Sequence, residues 1–142
     1  MKRIFNISYN KKLVDIWLLV LRVLVGALML THALPKFNLL ISGNEINFPD
    51  PIGLGSGLSF FLIVFAEFVC SIFIIVGFGT RISTIPLIIA MFVAAFVFHA
   101  NDPFSSKEMA ILYLLIYLTL LFTGSGKISV DYLIQKMNRK NK

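Results

Sequence analysis

The sequence has few charged residues: Asp, Glu, Lys and Arg make up 14% of its 142 residues, against about 25% in an average soluble domain. Hydrophobic residues make up 58%. A small soluble protein has a large surface for its volume, and this chain has too few polar side chains to cover one. The composition argues against a cytosolic enzyme, a disordered linker and a secreted disulfide scaffold, and it indicates an integral membrane protein.

Cysteine is almost absent as well, since Cys70 is the single one. One cysteine excludes an internal disulfide, a CxxC redox pair and a thiolate zinc site, so we expect Cys70 to be a small buried apolar residue. The sequence also lacks a GxGxxG fingerprint and a haem-attachment CxxCH.

Long apolar runs are what the sequence does contain. A spanning helix needs about 20 mostly apolar residues, and the first run is too long for a cleaved signal peptide. Beyond the last run, apolar residues at i, i+3, i+4 and i+7 predict a helix on the membrane surface over about 129–138, capped by Ser129. The predicted fold class is all-α, a single membrane domain over residues 1–142 that forms a four-helix bundle. The predicted spans are about 13–34, 57–78, 82–100 and 107–123.

The connections between these spans differ in length. Residues 35–56 form the long one, because its prolines and glycines discourage regular structure. Residues 77–81 form a tight turn, and residues 101–106 join the third span to the fourth. Ser105 or Ser106 is expected to cap the fourth helix.

Basic residues concentrate on one side of this predicted bundle. Only Lys36 and Lys107 lie in the opposite loops, and the positive-inside rule then predicts that both termini and the 79–81 turn are cytoplasmic. The net charge of +6 is consistent with orientation of the chain in a bilayer. It does not indicate a nucleic-acid-binding protein, because aromatic residues are not interleaved with the basic ones. The ten basic residues on the predicted cytoplasmic side are Lys2, Arg3, Lys11, Lys12, Arg81, Lys127, Lys136, Arg139, Lys140 and Lys142.

Two charges fall inside the predicted spans. Arg22 lies about 13–14 Å from the cytoplasmic start of the first span, and Glu67 about 15 Å from the outer start of the second. Since a charge at membrane depth is costly without a partner, we predict a buried Arg22–Glu67 pair near the midplane. Such a pair either takes part in function or only fixes helix register.

A second polar group is predicted near the outer face. His32 ends the first span, His99 ends the third and Glu108 begins the fourth, with Lys36 and Asp102 in the adjoining loops. We expect His32, His99 and Glu108 to line a polar cavity. Three interpretations remain open: capping or snorkelling at helix ends, a metal site, although no HxH or HExxH spacing supports one, and proton transfer or contact with a quinone headgroup.

Several motifs, taken in order and spacing, resemble the DoxX family of small bacterial membrane proteins. The resemblance extends from about Val14 to Leu133, and in one departure Ala33 stands where the family usually has glycine. The matching residues are Arg22, His32 with Lys36, Ala66-Glu67, Gly77-x-Gly79-Thr80-Arg81 and Gly124-x-Gly126-x-x-Ser129-x-Asp131.

The resemblance implies a four-helix membrane bundle in the bacterial inner membrane, with a part in respiratory or thiol–sulfur redox chemistry. Some relatives are similar to subunits of a thiosulfate:quinone oxidoreductase, others act with oxidoreductases in oxidative-stress defence, and many have no assigned activity. We expect an auxiliary or quinone-facing redox subunit, with quinone as the one cofactor and a partner oxidoreductase subunit or a second copy as partner. The alternative is a non-enzymatic small-molecule transporter or membrane scaffold.

The residues expected to carry the function come from both polar groups, and no metal ligand is among them. The candidate catalytic residues are Arg22, Glu67, His32, His99 and Glu108. The candidate substrate-binding residues are Arg22, His32, Lys36 and Glu67.

Overall fold

A computed structural model describes residues 10–140. The first four of its helices are long and apolar enough to cross a membrane. Within the described range there is no strand, so the predicted all-α fold with four candidate spans is confirmed. Three of the basic residues that contribute to the predicted charge asymmetry lie outside this range: Lys2, Arg3 and Lys142. The helices are α1 (Lys11–Ile41), α2 (Ser56–Val76), α3 (Thr80–Phe98), α4 (Phe104–Thr123) and α5 (Val130–Lys140).

Helix α1 is longer than predicted. Its 31 residues begin after Asn10, whose side chain accepts a hydrogen bond from the Lys12 N–H at 3.0 Å. The prediction that the connection starts at residue 35 is wrong, because the helix continues through Pro35. A proline inside a helix removes one main-chain hydrogen bond, but packing beyond it offsets the loss: the Phe37 ring stacks on that of Phe68 with centroids 4.2 Å apart.

Helices α2 and α3 each contain a π-helical stretch. In α2 it covers Phe65–Cys70, and in α3 it covers Ala94–Phe98. The turn between the two helices depends on Gly77, whose φ of 72° is the left-handed conformation that ends a helix and that glycine adopts readily. The N–H groups of Gly77 and Phe78 both donate to the Phe73 carbonyl at 2.9 Å, which closes the turn.

The start of α4 also differs from the prediction. Neither Ser105 nor Ser106 caps it, since the helix already begins at Phe104. Pro103 occupies the capping position in extended conformation, and its carbonyl accepts the first bond from the Ser106 N–H at 3.0 Å. By contrast, Ser129 does cap α5, because its hydroxyl accepts a hydrogen bond from the Tyr132 N–H at 3.2 Å.

The distribution of side chains suits a lipid environment. Large apolar residues such as Trp17, Ile82 and Phe122 are 59%, 75% and 77% exposed on the outside of the bundle. The interior holds Leu, Val, Ile, Met and two tyrosines, but it also encloses Arg22 and Thr84 with no exposed surface. An apolar exterior of this extent is typical of a surface that contacts lipid.

Candidate functional site

An apolar cavity of about 520 Å³ lies between α2 and α3. Its walls come from Leu62 and Phe65 on α2 and from Ile89 on α3, and the loop at residues 48–52 covers one side. Leu62, Phe65 and Ile89 are 43%, 41% and 57% exposed on the outside of the bundle. The cavity therefore opens among side chains of the lipid-facing surface.

An ion pair lies at the wall of this cavity. The Lys36 Nζ donates to both carboxylate oxygens of Glu67, at 2.7 Å and 2.6 Å. The Glu67 side chain is 5% exposed and that of Lys36 is 31% exposed. The continuation of α1 beyond Pro35 makes the contact, because it carries Lys36 to the height of Glu67. Lys36 is thus a helical residue and not the loop residue that the sequence suggested.

Both π-helical stretches contribute to the cavity wall. The stretch in α2 supplies Phe65, Ala66 and Glu67, and the stretch in α3 supplies Ala94 and Phe98. A π turn adds one residue to the helical repeat and changes which side chains share a face, and such turns are found frequently at functional sites. The π-helical stretch of α2 therefore carries Glu67, the carboxylate of the Lys36–Glu67 ion pair.

His99 lies at the rim of the same cavity, immediately after α3. Its Nδ1 is 2.6 Å from the Oδ2 of Asp102, three residues later. A carboxylate at this nitrogen fixes the orientation of the ring. Asp102 therefore sets the position of the His99 imidazole at the edge of the cavity.

The predicted outer cluster does not form as a unit. Of its three members only His99 lines the cavity. His32 is exposed and meets Tyr113 edge-on with centroids 6.2 Å apart, and Glu108 is exposed near the start of α4. The three residues lie on different helix ends whose rotation the sequence could not fix. Among residues 10–140, no three His, Cys, Asp or Glu side chains lie close enough together to hold a metal ion.

The predicted Arg22–Glu67 pair is wrong. Arg22 is fully buried, and its guanidinium donates to the main-chain carbonyls of Ile74, at 3.2 Å, of Ile75, at 3.4 Å, and of Ile128. Ile74 and Ile75 come seven and eight residues after Glu67, which is roughly 10–12 Å along α2. Arg22 therefore binds the carbonyl end of α2, where a cation is favoured.

The predicted depths were counted from span ends taken from hydropathy. In the structure Arg22 instead contacts the Ile74 carbonyl near the end of α2, and Lys36, on the continuation of α1, contacts Glu67.

We call the region around Arg22 the Gly77 end of the bundle. It consists of the turn at residues 77–79, the loop at residues 124–129 and the side chains of Arg22 and Asp131.

The residues of the two glycine-containing motifs, at 77–81 and 124–131, assemble at this Gly77 end. The Asp131 carboxylate accepts hydrogen bonds from the N–H groups of Gly79, at 2.7 Å, and Thr80, at 3.1 Å. It thereby caps the start of α3. Arg81 donates to the Phe122 carbonyl at 3.2 Å. These residues hold the helix ends together at a distance from the cavity.

Two tyrosines that the sequence did not single out lie in the interior of the bundle. Tyr113 and Tyr117, one turn apart on α4, stack with centroids 6.0 Å apart. The Tyr117 hydroxyl is fully buried, with no hydrogen-bond partner among the described residues. Two tyrosines at i and i+4 in an apolar span were the signal that could have identified them.

Comparison with known proteins gives one match. The family model for DoxX matches residues 17–100, a range that includes Arg22, Lys36, Glu67 and His99. No curated protein and no solved structure matches the chain. A match over more than half of the sequence, together with four candidate membrane spans, shows that this chain belongs to the DoxX family of membrane proteins.

Proposed function

We propose that this protein is an auxiliary, quinone-facing subunit of a membrane redox system of the thiosulfate- or thiol-to-quinone type. In this proposal the cavity between α2 and α3 receives the quinone headgroup. The observation that carries the proposal is the buried Lys36–Glu67 pair in the wall of an otherwise apolar cavity. An apolar pocket with a few polar groups is the usual form of a small-molecule site.

The chemistry of the polar groups suits a quinone ring. A bound quinone would supply the capacity to take up two electrons and two protons. The Lys36 ammonium can donate a hydrogen bond to a ring carbonyl, and the Glu67 carboxylate can accept a proton from a ring hydroxyl. His99, oriented by Asp102, can exchange a proton at the rim of the cavity. The apolar walls would accommodate the rest of the ring and the start of its isoprenoid tail.

The position of the opening also supports a ligand that arrives through the bilayer. Ile89 and Phe65 lie both on the cavity wall and on the exposed outer surface. A molecule dissolved in the hydrocarbon could enter between α2 and α3 without crossing water. Electrons would come from a partner oxidoreductase subunit, because the sequence offers no cofactor motif of its own.

Two pairs of variants test the binding site. In the purified protein in nanodiscs, binding of a short-chain benzoquinone is measured by titration for Glu67→Gln and His99→Gln. The matched controls are Glu108→Gln and His32→Gln, which make the same chemical changes outside the cavity. We expect the first pair to weaken binding about tenfold, the equivalent of one lost charged contact of about 1.4 kcal/mol, and the controls to stay within about twofold.

An equal loss of quinone binding in both pairs of variants, or no saturable binding by the parent protein, would contradict the proposal.

Membranes that contain the protein and its partner should reduce quinone when thiosulfate or a thiol is the donor. Flux of a solute into proteoliposomes without any redox turnover would favour the transporter alternative instead.

The proposal includes the bacterial inner membrane as location, with both termini in the cytoplasm and the cavity near the outer face. The charge asymmetry of the sequence supports this orientation. It is tested with single cysteines at positions 44 and 138 in a Cys70→Ser background. An impermeant thiol reagent should label position 44 in intact cells, and labelling of position 138 alone would reverse the orientation.

A further inference from the structure

A second cavity, a polar cleft of about 790 Å³, lies at the Gly77 end. It is bounded by the start of α3, the end of α4 and one side of α5. Three basic side chains from three parts of the chain line it: Arg81 on α3, Lys127 in the loop before α5 and Arg139 on α5. It is separate from the apolar cavity, and the function proposed above makes no use of it.

The cleft contains three cationic side chains and two carboxylates, which leaves an excess of one positive charge. None of Arg81, Lys127 and Arg139 forms an ion pair with a carboxylate anywhere in residues 10–140, where the two ion pairs are those of Lys36 and His99. Two carboxylates do line the cleft, but both are occupied by main-chain donors. Asp131 accepts from the N–H groups at the start of α3, and Asp15 accepts from the Lys127 N–H at 3.0 Å.

Arg81, Lys127 and Arg139 reach the cleft from three separate segments of the chain. Guanidinium and ammonium groups donate charge-assisted hydrogen bonds to anions. Three such cations around one cleft form a set that recognises an anion with several oxygen atoms, and phosphate is the common example.

The surroundings of the cleft indicate where that phosphate comes from. Helix α4, an apolar candidate span, ends at Thr123 beside the cleft. Helix α5 has no buried residue and exposes Leu133 and Met137, each 58%. An amphipathic helix with basic residues next to a span end lies at the level of lipid headgroups, and basic pockets between helices on the cytoplasmic side are typical sites for anionic lipids.

We infer that this cleft binds the phosphate of an anionic phospholipid, with Arg81, Lys127 and Arg139 as its cationic contacts. The acyl chains would lie against the apolar side of α5 and the exposed end of α4. The lipid would connect α5 to the membrane and to the start of α3. This assignment does not depend on any redox role for the other cavity.

The experiment measures which lipid the protein retains. The full chain is reconstituted with equal amounts of phosphatidylglycerol and phosphatidylcholine, exchanged into detergent, and the co-purified lipids are quantified by mass spectrometry. We expect the parent protein to keep phosphatidylglycerol in preference. Lys127→Gln and Arg139→Gln should each reduce that preference roughly fivefold, since one cation at a membrane surface contributes about that factor.

The matched controls are Lys136→Gln and Lys140→Gln, which remove the same charge from α5 outside the cleft and should leave the preference within about twofold. Equal losses in controls and cleft variants would overturn the inference in favour of diffuse surface attraction, and so would equal retention of both lipids. A competition arm adds inorganic phosphate or glycerol phosphate. Displacement of the lipid by either at millimolar concentration would show a site for a free anion and overturn the lipid assignment.

Discussion

At the Gly77 end, Arg22 donates to carbonyls of the main chain, whereas at the cavity Lys36 and Glu67 bind each other through side chains. The first arrangement is fixed, because its acceptors belong to α2 and to the segment before α5 and cannot turn away. The second can be rearranged, because either partner can rotate toward a ligand. The two cations thus differ in what they hold: Arg22 joins helix ends through carbonyls that are fixed in place, and Lys36 pairs with a side chain that can rotate.

The backbone is also held more firmly at the Gly77 end than around the cavity. The Gly77 turn is closed by several short main-chain hydrogen bonds, and Gly77 is packed tightly enough that a Cβ there would lie 2.1 Å from the Arg22 Nη1. Around the cavity, two helices leave α-helical geometry. We infer that the stability of the bundle depends more on the Gly77 end, and ligand binding on the cavity.

The largest effect is expected from Gly77→Ala. The added Cβ would meet Arg22 and, at 2.7 Å, the Ser129 Cβ, and alanine would have to adopt a φ of 72°. Overpacking costs about 1–3 kcal/mol and a left-handed alanine about 1–2 kcal/mol, so the free energy of unfolding should fall by about 2–5 kcal/mol. Thermal unfolding in detergent, followed by circular dichroism, measures the change.

The matched control is Gly57→Ala, in the first turn of α2, where a Cβ meets nothing within 4 Å. Alanine is the better helix former, so this variant should be neutral or slightly stabilising. A Gly77→Ala protein as stable as Gly57→Ala would contradict the view that the Gly77 end carries the stability of the bundle.

The next effect concerns the ion pair at the cavity. Lys36→Met should lower the free energy of unfolding by about 2 kcal/mol or more, because it leaves the Glu67 carboxylate, which is only 5% exposed, without a partner. Glu67→Gln should lower it less, because Lys36 is 31% exposed and can reach water alone. Lys36→Met combined with Glu67→Leu should recover much of the loss. The measurement is a double-mutant cycle of unfolding free energies in the same detergent.

A second cycle, of Arg22→Met with Glu67→Leu, is the control. Residues that share no partner are additive to within about 0.5 kcal/mol, and Arg22 and Glu67 contact different groups. Strong coupling in this cycle, with additivity between Lys36 and Glu67, would restore the pairing that the sequence suggested and reverse the comparison of the two regions.

A smaller effect is expected from Asp131→Asn. The carboxylate caps α3, and a capping residue contributes about 1 kcal/mol to stability. An amide can accept one of these bonds but carries no charge, so the melting temperature should decrease modestly. Glu45→Gln, an exposed loop residue, is the control for the charge change. An unchanged melting temperature for Asp131→Asn would show that α5 is not part of the cooperative fold.

The sequence predicted what depends on composition and missed what depends on register. Four apolar runs were enough to predict the four spans, and Ser129 was enough to predict the cap of α5. The sequence indicated only that Arg22 needs a partner, since a charge in hydrocarbon is costly without one, and the partner that it suggested, Glu67, was wrong. The acceptors of Arg22 are main-chain carbonyls, and every residue has one, so no residue type in the sequence could reveal them.

The sequence likewise predicted one part of the candidate site and missed the other. Glu67 was selected because a carboxylate in an apolar run is conspicuous. Its partnership with Lys36 depends on α1 continuing through Pro35 and on the π-helical stretch around Glu67, and neither feature has a sequence signature that we could use. His32 and Glu108 resembled His99 in their predicted depth, but depth does not determine the direction in which a side chain points.

The smallest expected effect concerns the loop that covers the cavity. Hydrogen bonds from the Ser59 hydroxyl, at 2.7 Å, and from the N–H groups of Gly55 and Leu54 hold the pKa of Asp50 below its usual value. Because the folded-state pKa is lowered, Asp50 stabilises the protein at pH values above about 4, the ordinary aspartate value. This contribution is lost as the pH falls through the folded-state pKa.

The loop is therefore expected to be the acid-sensitive part of the cavity. The melting temperature of the parent protein should exceed that of Asp50→Asn at pH 6, and the difference should shrink progressively below about pH 4. Glu45→Gln, at an exposed position in the same loop, should show no comparable difference. Because Asp50 is at the surface, the shift should be smaller than that of Asp131→Asn. A larger shift would mean that the cavity loop, and not only the Gly77 end, holds the bundle together.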